Sequence, residues 1–328
     1  MLNNKKILIT GGTGSFGQEF VKTILKKYPK IKRLVIFSRD ELKQHDMSKL
    51  YLGKKYDCVR FFLGDVRDKE RLIRATNDID IIVHSAALKQ VPAAEYNPME
   101  FIKTNILGAS NIIEAAITCN VKKVIALSTD KAASPINLYG ATKLCSDKLF
   151  IAANNYAGLG KINFSVVRYG NVMNSRGSVI PLFFKMKKKN ELLITDKNMT
   201  RFNLTLSEGV NFVLKSLDIS KGGEIFVPKI PSYKICDLAK AVAPNAKIKI
   251  IGKRQGEKID EELVTKSDSP NTVEFKNFYV ILNDKKSMNF YLKKFNCKKT
   301  AVGFSYNSRE NDFLSLKKLK LLVKNLEH

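Results

Sequence analysis

The chain has 328 residues, 57 lysines and arginines against 31 acidic residues, and a net charge of +26. This length suits one large α/β domain or two coupled ones. The lysines are spread along the chain and form no stripe interleaved with aromatic residues. They therefore predict a lysine-rich surface and no nucleic-acid partner, although a basic chain of this kind leaves a nucleic-acid-associated role as an alternative.

The cysteines and histidines predict neither a disulfide framework nor a metal site. The five cysteines are odd in number and scattered, which is typical of free thiols in a reducing cytoplasm. The three histidines are too dispersed for a zinc site. No apolar run is long enough to span a bilayer, so we expect a cytoplasmic protein without a membrane partner.

The first stretch predicts a dinucleotide-binding turn. An apolar strand, Lys6 to Thr10, runs into a G-x-x-G-x-x-G segment, and helical periodicity follows from Ser15 to Leu25. Such glycines allow a tight turn and a close backbone approach to a pyrophosphate, while the helix start offers N–H groups to phosphate. The predicted cofactor contacts in this turn are Gly11, Thr13, Gly14, Ser15, Phe16 and Gly17.

The end of the second strand, Arg33 to Phe37, carries the cofactor preference. NAD-binding folds often place an acidic residue there to hold the ribose diol, but this chain has Ser38 and Arg39. A guanidinium suits a 2′-phosphate, so the sequence favours NADP over NAD. The alternative for Arg39 is a surface ion pair with Asp40 or Glu41.

Two further strands end in residues that we expect to face the cofactor. The third, Val59 to Leu63, is followed by Asp65, placed for an adenine amino group, and by Val66. The fourth, Ile79 to Val83, is followed by small residues that let the backbone touch the cofactor, and then by Lys89. The residues predicted here are Asp65, Val66, Ala86, Ala87 and Lys89. His84 is predicted to be a packed histidine rather than a catalytic one.

The fifth strand leads into the segment that carries chemistry. Thr129, Asp130 and Lys131 follow the apolar run 124–127, and Tyr139 and Lys143 have i, i+4 spacing, one turn apart on a helix face. A lysine beside a phenol lowers the phenol pKa, so Tyr139 can take a proton from a hydroxyl. Taken alone, the Tyr–Lys spacing is equally typical of an ordinary helix face.

The order of strands and helices predicts an α/β fold. Strand–helix alternation continues to a sixth strand, Asn163 to Val167, and indicates a Rossmann-like, doubly wound parallel sheet. After Tyr169 the alternation weakens, which predicts a smaller, interleaved substrate-binding lobe. We assign residues 1–170 and roughly 204–228 to the nucleotide-binding domain, and 171–203 and 229–328 to the lobe.

With these motifs in place, the chain resembles the extended short-chain dehydrogenase/reductase superfamily from residue 5 to about residue 264. Within it, the tetrapeptide 128–131 (STDK) is similar to that of the inverting UDP-N-acetylglucosamine 4,6-dehydratases of the pseudaminic acid pathway. Segments 37–44, 94–98, 138–143 and 199–202 resemble the same group. The tyrosine at 139 is typical of its flagellar branch, whereas a capsule-sugar branch has methionine there.

The resemblance implies an internal redox reaction on a UDP-hexosamine, with inversion at C5 and a homo-oligomer, either a hexamer or a dimer. It implies that Tyr139, assisted by Lys143 and Thr129, removes the 4-hydroxyl proton. Lys131, when neutral, takes the C5 proton, and protonated Asp130 protonates the departing 6-hydroxyl. The residues that would bind the UDP-sugar are Lys89, Lys131, Asn171, Arg176, Arg201, Arg254 and Glu257.

Three alternatives remain at this stage. A 4-epimerase of the same fold would share the cofactor site and the Tyr–Lys pair without needing Asp130 and Lys131. A C5-retaining dehydratase would differ only in stereochemistry. A non-catalytic NADP-sensing protein would need none of these four side chains. The Asp130–Lys131 pair itself could be a solvated pair of neighbours.

Overall fold

The computed structural model of the chain describes residues 2–158, 162–173, 178–188 and 190–326. Its strands are β1 (Lys6–Thr10), β2 (Arg33–Ser38), β3 (Val59–Leu63), β4 (Ile81–His84), β5 (Lys123–Thr129), β6 (Asn163–Tyr169), β7 (Glu191–Ile194), β8 (Thr200–Phe202), β9 (Ile225–Pro228), β10 (Ser232–Lys234), β11 (Lys247–Ile250), β12 (Glu262–Val264), β13 (Thr272–Glu274), β14 (Phe278–Ile281), β15 (Lys298–Lys299) and β16 (Tyr306–Asn307).

The helices lie between these strands and after them. They are α1 (Ser15–Lys27), α2 (Glu41–Ser48), α3 (Lys69–Thr76), α4 (Val91–Tyr96), α5 (Pro98–Phe101), α6 (Gly108–Thr118), α7 (Leu138–Tyr156), α8 (Val179–Lys187), α9 (Leu206–Ile219), α10 (Ile235–Val242), α11 (Lys285–Lys294) and α12 (Leu316–Lys324). A π-helical segment, Ile102–Leu107, joins α5 to α6. These three pieces follow one another without a break from Pro98 to Thr118, with a wide turn in the middle.

The central sheet has the predicted doubly wound order. Strands β3, β2, β1, β4, β5 and β6 lie side by side and pair in parallel. Helices cover both faces, and β1, β2, β4, β5 and β6 are buried almost throughout because each face packs against a helix layer, whereas the edge strand β3 is partly exposed. The predicted Rossmann-like α/β fold is confirmed. In such a sheet the ligand crevice lies at the carboxyl ends of the strands.

The sheet continues beyond the six predicted strands. β9 pairs in parallel with β6, and β14, β13 and β15 then extend the edge in antiparallel fashion. These last three strands come from the range 229–328, which we assigned to the lobe, and they belong to the main sheet. The exact division of the chain into two parts stays a prediction.

A second apolar cluster lies outside the large sheet. It includes Ile180 and Phe183 of α8, Leu192 of β7, Leu238 of α10 and Leu319 of α12. Two-stranded sheets, β8 with β10 and β7 with β11, accompany it. This part supplies the segments that close over the end of β5.

Helix α7 is fixed at its start by a side chain that also reaches the lobe. Asn137 caps the helix by accepting a hydrogen bond from the Gly140 N–H at 2.8 Å. The same side chain donates to the Gly256 carbonyl at 2.8 Å. None of the helices in the described ranges is both long and apolar enough to cross a membrane.

Candidate active site

A cleft of about 630 Å³ opens at the carboxyl ends of β1 to β6. Each residue predicted to contact the cofactor lines it: Gly11, Thr13, Gly14, Ser15, Phe16, Gly17, Ser38, Arg39, Asp65, Val66, Ala86, Ala87, Lys89, Tyr139 and Lys143. Thr129, Asp130 and Lys131 line the same cleft. The fold therefore brings the two groups of predicted residues to one place.

The glycine turn leaves room that a side chain would fill. Gly11 has a φ of +65°, and a Cβ there would lie 3.0 Å from the Ala86 backbone. A Cβ on Gly17 would lie 2.4 Å from the Gly12 carbonyl oxygen, so α1 can pack this close to the turn only with glycine. Helix α1 begins after Gly14 without a side-chain cap, which is the arrangement that binds phosphate at helix N-termini. These features fit a dinucleotide.

The end of β2 presents cations to the cleft. The Arg39 side chain is 56% exposed and lies 3.8 Å from an Asp65 carboxylate oxygen. The cation paired with Asp40 is instead Lys43, which also lines the cleft. Gln44 fixes Ser38 by donating to its carbonyl at 2.9 Å. The alternative partner of Arg39, predicted as Asp40 or Glu41, is thus Asp65 in the structure.

His84 has the packed position that the sequence predicts. Its ring nitrogen lies 2.8 Å from the Thr10 hydroxyl, and the ring is 2% exposed. Burial lowers the pKa of His84 to about 3, so the ring is neutral. The Thr10 hydroxyl also accepts a hydrogen bond from the Ala86 N–H at 3.2 Å, which ties the ends of β1 and β4 together beside the cleft.

Tyr139 and Lys143 are both buried on α7, but their electrostatic relation differs from the prediction. The Lys143 Nζ donates to the Leu127 carbonyl at 2.7 Å, and burial lowers the pKa of Lys143. Burial raises the pKa of Tyr139 to about 12, while Lys131 and Thr129 act in the opposite direction. The expectation that Lys143 lowers the Tyr139 pKa is therefore wrong. Lys131 is the cation that favours the phenolate.

Asp130 is buried and Lys131 is partly buried, so the two do not form a solvated pair. Asp130 is 1% exposed and accepts hydrogen bonds from the Thr129 hydroxyl at 2.9 Å and the Lys131 Nζ at 3.1 Å. Burial raises the pKa of Asp130, and the Glu261 carboxylate raises it further against the opposing Lys131 charge. A raised pKa suits this carboxyl to hold and deliver a proton.

Lys131 is held as an ammonium in this geometry. Its Nζ lies 3.1 Å from Asp130 Oδ1 and 2.9 Å from Glu261 Oε1. Burial alone lowers the pKa of Lys131, but the two carboxylates outweigh it and raise the pKa above the ordinary value. The predicted neutral lysine is therefore not the resting form, because two anions stabilise the charged one.

Glu261 is the site residue that sequence reasoning missed. It directly precedes β12, is 1% exposed, and lies far along the chain from Lys131. No local sequence pattern predicts the contact, because it joins two segments that are distant in the chain. The local sequence gives only a weak signal, since Glu261 lies in the acidic run 260–262 just before the apolar pair Leu263 and Val264.

The predicted substrate residues divide into two groups. Lys89 and Asn171 line the cleft, and among the described residues the Asn171 Oδ1 has no hydrogen-bond partner. The lining of the cleft does not include Arg201, Arg254 or Glu257. Arg176 lies outside the described residues.

The side chains of the second group have other contacts. Arg201 is 8% exposed, and its guanidinium donates to the carbonyls of Thr200 at 2.7 Å, Ile259 at 2.9 Å and Lys258 at 3.0 Å. The Glu257 carboxylate accepts from the Arg254 N–H at 3.2 Å within its own loop. The predicted contacts of these residues with the diphosphate stay predictions.

Comparison with known proteins decides the family. A sequence profile described as polysaccharide biosynthesis protein matches residues 7–283. The chain belongs to this family. A relative from Campylobacter jejuni, named UDP-N-acetylglucosamine 4,6-dehydratase (inverting), is 55% identical over 320 residues, covering 95% of this chain and 94% of the relative. The predicted resemblance is thereby confirmed.

Two further matches show the range of the family. A Rickettsia bellii protein named UDP-glucose 4-epimerase is 44% identical over 337 residues, covering 100% of this chain and 98% of that one. The solved structure of Pen from Bacillus thuringiensis has 35% identity and a TM-score of 0.89, covering 100% of this chain and 99% of that one. No group of three or more potential metal ligands occurs within the part of the chain that the structure describes.

Proposed function

We propose that the chain is a UDP-N-acetylglucosamine 4,6-dehydratase that inverts C5. Its product would be UDP-2-acetamido-2,6-dideoxy-β-L-arabino-hex-4-ulose, in the first step of pseudaminic acid synthesis. The observation that carries the proposal is the pair formed by the buried Asp130 and the partly buried Lys131, beside Tyr139 in the cleft. The 55% identity to a relative of that name supports it.

The cofactor in this proposal is NADP. A nicotinamide cofactor supplies the hydride acceptor and donor of an internal redox reaction. The glycine turn and the uncapped start of α1 would hold its pyrophosphate. Arg39 and Lys43, which both line the cleft next to Ser38, would hold a 2′-phosphate.

The proton chemistry follows from the hydrogen bonds of the pair. The minor phenolate form of Tyr139, which the Lys131 charge favours against the effect of burial, takes the 4-hydroxyl proton. The 4-keto group then acidifies the C5–H bond. A proton shift along the 3.1 Å contact between Lys131 Nζ and Asp130 Oδ1 converts an ammonium and a carboxylate into an amine and a carboxylic acid.

These two groups then have the forms that elimination requires. The Lys131 amine takes the C5 proton, and the Asp130 acid protonates the departing 6-hydroxyl, so that water leaves. Hydride goes to C6 and Tyr139 returns a proton to C5. The pair ends as carboxylate and ammonium, the forms it had before the proton shift, so the cycle closes with the net loss of one water molecule.

The proposed function includes contacts to the sugar diphosphate and a homo-oligomeric assembly. Lys89 and Asn171 would contact the sugar diphosphate, since both line the cleft. Contacts by Arg201, Arg254 and Glu257 would need a rearrangement, because these residues do not line it. The contact of Arg176 stays a prediction. A homo-oligomer, hexamer or dimer, stays a prediction.

The direct test is incubation with UDP-N-acetylglucosamine and identification of the product by NMR. We expect a 4-keto-6-deoxy sugar and no net consumption of cofactor. Asp130→Asn and Lys131→Met should each lower the rate of water elimination by about 100-fold or more and leave cofactor binding intact. The matched controls are Asp46→Asn and Lys49→Met, an exposed ion pair at 3.3 Å, which should behave as wild type.

The competing function, 4-epimerisation, is favoured by the 44% identical relative of that name. An epimerase returns hydride to C4 and needs no acid–base pair at C5 and C6. A C4 epimer formed without loss of water, together with normal turnover of both variants, would overturn the dehydratase proposal.

A further inference from the structure

Glu261 connects the lobe to the catalytic segment through a buried side chain. Its Oε1 lies 2.9 Å from the Lys131 Nζ and 3.7 Å from the Arg201 Nε. The backbone of Glu261 is clamped on both sides, since its N–H donates to the Ser308 hydroxyl at 2.9 Å and its carbonyl accepts from the Ser308 N–H at 2.8 Å. The carboxylate therefore has little freedom to move away from Lys131.

The cost of burying this group indicates a function. Glu261 is 1% exposed, and within the described ranges its Oε2 has no hydrogen-bond partner. A buried carboxylate with one oxygen unsatisfied is expensive unless its charge is needed. The two Ser308 contacts hold the Glu261 backbone in place without using that charge.

On these observations, and resting on the proposed dehydratase function, we propose that Glu261 is a positioning residue that keeps the shared proton within the Asp130–Lys131 pair and holds the Lys131 amine in the cleft. Glu261 touches neither the sugar nor the cofactor in this role. It acts through Lys131, whose Nζ it shares with Asp130.

The charges around Asp130, Lys131 and Glu261 decide in which direction Glu261 shifts the pKa values of the Asp130–Lys131 pair. Lys131 faces Asp130, Glu261 and Arg201, and Glu261 faces Lys131, Arg201 and Lys258. The nearby Tyr139 and Tyr233 respond to Lys131 and Asp130 but are neutral at neutral pH. The Glu261 charge raises the proton affinity of both members of the pair. Removing that charge should therefore move both titrations of the pair to lower pH.

The test compares Glu261→Gln with Glu262→Gln. Glutamine keeps the shape and removes the charge. Glu262 is the adjacent control, and its carboxylate accepts only a hydrogen bond from the Ser134 hydroxyl, at 3.0 Å, among the contacts described. For Glu261→Gln we expect kcat to fall about tenfold or more with little change in KM. Both limbs of the pH profile of kcat should shift to lower pH by about one unit.

Two further measurements keep the result interpretable. Glu261→Asp should restore the wild-type pH profile in part, because it retains the charge. NMR titration of the Lys131 side chain with labelled lysine, assigned through Lys131→Met, reports the proton on Lys131 without any substrate. We expect the Lys131 pKa to fall in Glu261→Gln and to stay unchanged in Glu262→Gln.

The outcomes separate this proposal from the proposed function. An unchanged Lys131 titration in folded Glu261→Gln would overturn the role of Glu261, whatever reaction the protein catalyses. A lower Lys131 pKa in a protein that releases no water from UDP-N-acetylglucosamine would leave the role of Glu261 standing and overturn the dehydratase assignment. A loss of kcat with unshifted limbs would indicate a structural role and also contradict the proposal.

Discussion

At the residue scale, the proposed preference for NADP over NAD depends on Arg39. It follows β2, lines the cleft, and its ion pair with Asp65 at 3.8 Å is loose and more than half exposed on the arginine side. Such a pair contributes little to stability, so the guanidinium can turn to a phosphate at small cost. A 2′-phosphate would gain a charge-assisted contact that a ribose hydroxyl does not.

The first prediction is that Arg39→Asp weakens NADP binding and spares NAD binding. We expect the Kd for NADP to rise about 10- to 100-fold, since a hydrogen bond to a charged group contributes about 1.5–3 kcal/mol. Fluorescence titration with both cofactors measures this directly. Arg74→Asp, an exposed arginine on α3, is the control. An equal loss for both cofactors would contradict a phosphate contact at Arg39.

Side chains at strand ends were predictable and those of the lobe were not. Arg39 and Asp130 directly follow buried strands, Asp65 lies two residues after β3, and parallel strands bring their carboxyl ends to one edge. Glu261 reaches the same cluster only through the fold of a distant segment. The pKa shifts of Tyr139 and Lys131 were mispredicted for a related reason: burial and a third charge decide them, and neither is visible in the local spacing.

At the scale of elements, the segment from β5 to α7 is one tightly packed unit. The turn after β5, Asp130–Ala132, lies directly against the first turn of α7. A Cβ on Gly140 would lie 2.2 Å from the Lys131 carbonyl oxygen and 3.1 Å from the Pro135 side chain. The missing side chain at 140 is therefore what lets Lys131 and Tyr139 approach each other.

The second prediction follows from this contact. Gly140→Ala should displace the Lys131 backbone, lower the free energy of unfolding by about 1–3 kcal/mol, and abolish water elimination. Chemical denaturation and the NMR product assay measure the two effects. Gly209→Ala, within α9, is the matched control, because its Cβ would meet only the Leu204 side chain, at 3.3 Å. A fully active and equally stable Gly140→Ala protein would show that this packing is not required.

The helices and strands themselves were largely predictable. The glycine turn, the six parallel strands and the helix that carries Tyr139 follow from periodicity and caps. The π-helical turn at Ile102–Leu107 was not, because it depends on tertiary contacts such as the Asn105 side chain, which accepts from the Leu88 N–H at 2.9 Å and donates to its carbonyl at 2.9 Å. The edge strands β13 to β15 are short, and short strands give weak patterns.

At the scale of the whole molecule, two separate stretches of the chain supply the charged residues of the proposed catalytic cluster. The main sheet supplies Asp130 and Lys131 after β5, and the segments before β12 and within β8 supply Glu261 and Arg201. Lys258 adds a link by donating to the Ala133 carbonyl at 2.6 Å. A motion that separates these regions would change the distance between Lys131 and Glu261. The pKa of Lys131, and with it the proposed proton transfer, would then change.

The last prediction concerns stereochemistry, which depends on how the regions surround the sugar. Inversion at C5 needs proton removal on one face and delivery on the other. The Lys131 ammonium contacts Asp130 and Glu261, whereas Tyr139 packs with Ala94 and Phe101. Two side chains held by different neighbours suit proton transfer on opposite faces, and in the proposed mechanism Tyr139 carries a proton once C4 is oxidised.

We therefore expect the L-arabino product with solvent deuterium at C5 when the reaction runs in heavy water. Proton–proton couplings around the ring report the configuration, and an early time course separates the first product from later epimerisation. Lys131→Met should give neither the product nor deuterium at C5, whereas the Lys49→Met control should give both. A D-xylo sugar that forms first would mean that one group serves both transfers on one face, and it would contradict the assignment of Lys131 and Tyr139 as separate proton carriers.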